Sequence, residues 1–192
     1  MTRLWHWVLV IVVVLGWSFG RFMSFSTVQW HFYCGYTILG LLIFRYLWGF
    51  VGPAPVRYQA FLASQPEIRA YLKTVGRRSP SGTGGHNPLG ALSAITMILL
   101  LTFQAVSGLF VVSEDFSESG PLAHLVSDAA SDRLIWWHRL VSKFLLAIVG
   151  LHVAAMLYYL FWKKENLILP MITGWKWVKP APDSREHSRS GQ

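Results

Sequence analysis

Seven histidines punctuate this chain: His6, His31, His86, His124, His138, His152 and His187. An imidazole can carry a proton near neutral pH, or it can give a ring nitrogen to a metal ion. His6, His31, His138 and His152 lie within or at the ends of strongly apolar stretches. Ionisable groups there are costly, face the interior of a helix bundle and mark function. His138 and His152 occupy one stretch, fourteen residues apart. On a helix that spacing advances about 21 Å and comes within about 40° of four whole turns. A left-handed bundle twist offsets much of the residual rotation. The two rings therefore share a face but sit at different depths, too far apart for one metal. Each needs its own partner. His124, in an outer loop, reads as an ordinary surface histidine, and His187 lies in the polar tail.

The elements that must position these rings are four apolar segments, at 4–20, 30–51, 88–112 and 135–162. They account for the 53% hydrophobic content and the mean hydropathy of +0.40 in 192 residues. Each is long enough to cross about 30 Å of hydrocarbon at ~1.5 Å per residue. The first segment could be a signal peptide, but "GWSFGRFMSF" offers no clear small-x-small cleavage site and aromatic residues precede the apolar core. It reads as a retained span. The fold class is an all-α membrane protein, a bundle of four transmembrane helices. Residues 1–180 form one domain, and 181–192 form a polar tail expected to be disordered.

Basic residues orient the bundle. With an inner N-terminus, the inner segments hold Arg3, Arg57, Arg69, Lys73, Arg77, Arg78, Lys163, Lys164, Lys176, Lys179, Arg185 and Arg189. The outer loops hold only Arg21 and Arg133. That bias places the chain in the bacterial inner membrane as a multi-pass protein with both termini cytoplasmic. The net charge of +8 is mostly this topology signal and does not indicate nucleic-acid binding. The outer loop 113–134 is acidic, with Glu114, Asp115, Glu118, Asp128 and Asp132 against Arg133. It either follows from topology or docks a basic partner. One cysteine, Cys34, excludes an intramolecular disulfide and a Cys-x-x-Cys-His attachment.

Topology then pairs the rings. Span one runs outward, so His6 is inner; span two runs inward, so His31 is outer. His138 begins span four at the outer side and His152 lies ~21 Å deeper. Depth alone matches His31 with His138 and His6 with His152. No thiolate or carboxylate stands nearby to complete a zinc site. Two facing imidazoles suit the axial positions of a haem iron. Without attachment cysteines the haems would be non-covalent, b-type, and two per chain. A single buried histidine would more readily be a hydrogen-bonded core residue; four, matched by depth, favour haem. Gly35 and Gly150 lie near His31 and His152. They could admit a porphyrin or simply allow close helix packing.

The stretches "RLWHWVLV", "HFYCGYTILGLLIFRYLWGFVGP", "GHNPLGALS" and "WWHRL…IVGLHVAA…LFWKKENLI" resemble the bacterial di-haem cytochrome b-561 family, which includes the b-type cytochrome subunits of membrane Ni/Fe-hydrogenases. The resemblance covers roughly residues 3–170. It implies that His6 and His152 bind the inner haem iron and His31 and His138 the outer one. It also implies electron exchange in a respiratory chain between the quinone pool and a redox partner protein. That partner is a c-type cytochrome or a dehydrogenase or hydrogenase subunit. Arg45 lies fourteen residues after His31, near the depth of the inner haem. It either meets a haem propionate or snorkels to the interface. His86 and Asn87, before span three, could bind a quinone, or serve as a helix start or a propionate contact. Two rival classes stand beside this reading. One is an autonomous haem oxidoreductase acting on superoxide or oxygen. The other is a haem-free transporter or assembly factor, but no broken helix pair of the transporter kind is visible.

Overall fold

The computed structural model describes residues 1–54, 57–58, 66, 68–69, 73, 76, 88–113 and 118–174. Among them are four long helices: α1 Thr2–Arg21, α2 Val28–Val51, α3 Pro88–Gly108 and α4 Asp128–Phe161. All four are long and apolar enough to cross a membrane. A short helix, α5 (Ile168–Thr173), follows α4. Between α3 and α4, β1 (Val112–Ser113) pairs antiparallel with β2 (Glu118–Ser119).

The short link of residues 22–27 forces α1 and α2 to run antiparallel. Between α1 and α2, Thr27 Oγ1 accepts a bond from the Ser24 backbone N–H at 2.9 Å and donates to Phe22 O at 3.2 Å. Each helix packs mainly on its sequence neighbour, whereas α1 and α4 touch only sparsely. One buried cluster draws on all four: Leu9 of α1, Leu42 of α2, Leu101 and Ala105 of α3, and Leu145 of α4. Two polar contacts join helices beside it. Thr102 Oγ1 donates to Ile98 O at 2.7 Å, which leaves it to accept from Tyr46 Oη, also at 2.7 Å. Trp5 Nε1 donates to Leu41 O at 2.7 Å, tying α1 to α2.

The outward faces are apolar too. Ile11, Leu47, Leu99 and Leu151 are all more than half exposed. In water such continuous apolar surface drives association; in hydrocarbon it is the solvated face.

The fourth helix starts at Asp128, seven residues before the apolar segment that sequence hydropathy marks out. Its first two turns, "DAASDRL", are polar, and Asp128, Asp132 and Arg133 are exposed. Hydropathy detects only the part that belongs in lipid, whereas the helical backbone continues beyond it. At ~1.5 Å per residue the 34-residue helix is about 51 Å long, well beyond the hydrocarbon thickness. The α3–α4 connection is sewn onto it, because Val112 N–H donates to the buried Ser131 Oγ at 3.0 Å. Gly120 packs so closely on the Leu109 carbonyl that a side chain there would collide with it.

At the opposite end α5 folds back against α1. Arg3 Nη1 donates to Ile172 O and Trp7 Nε1 to Met171 O, each at 3.2 Å. Asn166 Oδ1 accepts from the N–H groups of Ile168 and Leu169, which caps α5. Lys163, counted among the inner basic residues, is only 2% exposed, with its ammonium 5.2 Å from the centre of the Tyr159 ring. The turn after α4 folds its stem inward instead of letting it reach the surface.

Candidate functional site

His31 lies one turn into α2 and faces α1. Its Nδ1 is 2.8 Å from Gly16 O. A carbonyl oxygen can only accept, so this nitrogen carries the proton and Nε2 keeps its lone pair. The close approach requires glycine on α1. A Cβ on Gly20 would lie 2.8 Å from His31 Cε1, and one on Gly16 would press on Cys34 Cβ at 3.2 Å.

His138, three turns into α4, stands across from His31, with ring centres 6.1 Å apart and planes at 77°. Its Nδ1 is 2.9 Å from Ser107 Oγ on α3. Ser107 Oγ spends its proton on Gln104 O at 3.1 Å, so it accepts from His138. Again the proton sits on Nδ1 and Nε2 is free to ligate. Metal-binding histidines ordinarily donate their second nitrogen in this way, which fixes ring orientation and raises ligand basicity.

At the other depth, His6 on α1 and His152 on α4 lie within electrostatic reach of one another. His6 stacks edge-on against Trp7 at 5.4 Å. Its Nδ1 is buried and has no hydrogen-bond partner among the described residues. An unsatisfied buried polar atom is costly, and no described residue takes a proton from this nitrogen as Gly16 O and Ser107 Oγ do from His31 and His138. Trp48 Nε1 and Gln104 Oε1 are orphaned in the same sense. Among the described residues no three His, Cys, Asp or Glu side chains gather as a metal-binding cluster. The donor set is thus one of imidazole pairs, which suits haem iron better than zinc.

Residues 1–174 match the family model described as prokaryotic cytochrome b561. The chain belongs to the prokaryotic cytochrome b561 family. It is 26% identical to the "Probable Ni/Fe-hydrogenase B-type cytochrome subunit" of Azotobacter vinelandii, over 92% of this chain and 86% of the relative. It is equally similar, at 26%, to the "Probable Ni/Fe-hydrogenase 1 B-type cytochrome subunit" of Escherichia coli K12, over 91% and 87%. No solved structure is a significant match. The cytochrome is a multi-pass membrane protein that uses b-type haem for electron transfer.

Elsewhere in this cytochrome, Arg45 is 5% exposed, with its guanidinium 6.0 Å from the Trp5 ring and 5.2 Å from the Tyr58 ring. The side chain stays inside the bundle and does not snorkel. Tyr58 Oη donates to Arg45 O at 3.4 Å. Burial pushes this phenol above its ordinary range, against the opposite pull of the Arg45 charge, so it remains a neutral donor. Gly49 makes room for the Tyr58 ring. Gly35 and Gly150 behave differently, since a Cβ on either would meet nothing within 4 Å. They are not points of close helix packing.

His124 is exposed in the outer loop. His86, Asn87, Glu114, Asp115 and the tail with His187 lie outside the described residues. Sequence reasoning missed Ser107, whose link to His138 spans 31 positions and leaves no local pattern. It also missed Gly16 and Gly20, which stand one turn apart on α1 and carry a small-residue signal that was readable.

Proposed function

We propose that this cytochrome holds two b haems, one between His31 and His138 and the other between His6 and His152. It passes electrons between the quinone pool and a redox partner. The observation that carries this reading is the outer pair, two facing imidazoles whose Nδ1 protons are already committed and whose Nε2 atoms remain for a metal. The approach of His6 to His152 supports the inner pair. Haem, when bound, supplies a one-electron ferric/ferrous couple. The chain's own residues orient the rings, exclude water from them and bring the two depths into electronic reach. The names of the relatives support a hydrogenase as the partner. A quinol should reduce both haems of the purified protein. Reduction of neither would remove the quinone step, and partner-free turnover of superoxide or oxygen would favour the autonomous enzyme.

The buried Arg45 supplies positive charge for a haem propionate at the inner site. Arg45→Gln is expected to weaken retention of the inner haem about tenfold, the lower end of what loss of an outer-shell partner costs, and Arg45→Lys less. Haem content after detergent washing measures this. An Arg45→Gln protein that keeps both haems as firmly as wild type would contradict it. His86 and Asn87 are the proposed quinone contacts.

Both termini are proposed to be cytoplasmic. A reporter active only in the periplasm should work when inserted in the 113–134 loop and fail at the C-terminus. The reverse pattern would invert the topology.

A further inference from the structure

The two imidazole pairs are not equivalent. In the outer pair both Nδ1–H groups have acceptors: His31 donates to Gly16 O, and His138 donates to Ser107 Oγ, which donates onward to Gln104 O. In the inner pair His6 Nδ1 is buried without a partner among the described residues. An acceptor on Nδ1–H makes the opposite nitrogen a stronger donor to iron, and a stronger donor stabilises the ferric state.

We propose that Ser107 is a positioning residue of the outer site, its hydroxyl holding the His138 proton in a chain that ends at Gln104 O and so making the outer haem the lower-potential of the two. This rests on the two-haem reading above. It has a consequence for direction: an electron entering at the outer haem runs downhill to the inner one.

The surroundings of Ser107 allow a clean test. The residue is 3% exposed and borders an open apolar groove together with Val106, Phe103, Phe110 and Leu134. Threonine in a helix can keep its hydroxyl on the i−3 or i−4 carbonyl, here including Gln104 O. Valine has the same shape without the hydroxyl. Ser107→Thr and Ser107→Val therefore differ in the hydrogen bond and not in bulk.

Haem content, potentiometric titration and electron paramagnetic resonance of the ferric protein read the outcome. Ser107→Thr should match wild type. Ser107→Val should keep two haems, shift the outer ferric/ferrous equilibrium toward ferrous by about tenfold, or ~59 mV for one electron, move the outer haem's g-values and leave the inner haem alone. Selective shedding of the outer haem by Ser107→Val, with Ser107→Thr intact, would also support the positioning role. A wild-type titration in which the inner haem is the lower, a Ser107→Val protein identical to wild type, or Thr and Val variants that shift alike would overturn it. A wild-type protein that carries a single haem fails earlier, at the content measurement, and sinks the two-haem reading instead.

Discussion

Replacing His138 with alanine is expected to remove one of the two proposed haems and leave the other, and replacing His31 is expected to remove that same haem. The rings are 6.1 Å apart, on α4 and α2, and each is already anchored through Nδ1 to a different helix. Neither loss can be covered by a neighbour, because no other histidine lies at that depth among the described residues. A b-type haem has no covalent tether, so loss of one axial ligand would leave it held by a single imidazole and by packing contacts. His6→Ala and His152→Ala should together define the second haem. Difference spectra of the four purified variants, with haem per polypeptide, sort them into two classes of two. If His6→Ala and His31→Ala shared one spectral defect, the pairing by depth would be wrong.

Gly20→Ala is expected to be nearly as damaging to the outer haem, although glycine bears no ligand atom. The added Cβ would stand 2.8 Å from His31 Cε1 and 3.0 Å from its Nδ1. The imidazole is a rigid plate hydrogen-bonded to Gly16 O, so it cannot yield as the end of a flexible chain would. The ring must turn, and its Nε2 then leaves the line toward His138. Displacing a first ligand should cost at least as much as losing its outer-shell support, so outer-haem retention should fall by roughly tenfold or more. Gly40→Ala on α2 is the control, because its Cβ would meet nothing within 4 Å and the residue is exposed. Alanine is the better helix former, so that variant should keep both haems. Equal haem loss in the two variants would mean that Gly20 acts through general helix stability and not through His31.

The spans and the histidine depths were legible in the sequence because lipid imposes a long, uniform apolar requirement on a helix. A fourteen-residue interval on one such helix has a calculable geometry. Other features obey different physics. The polar start of α4 was hidden because helix formation does not stop where hydropathy does. Lys163 reads as a surface charge in sequence, yet the turn after α4 buries it against Tyr159. Ser107 looks like any small residue in an apolar helix, and its meaning appears only when α3 packs on α4. Gly35 and Gly150 were open to two readings, and the open space before them removes one, close helix packing.

The central claim is that one chain carries two imidazole-paired haems at separate depths. The direct measurement is haem per polypeptide in the fully loaded wild-type protein, read together with the ferric resonance spectrum. Two haems per chain, with two distinct low-spin ferric species, are predicted. A single haem with a single low-spin species at full loading would contradict it.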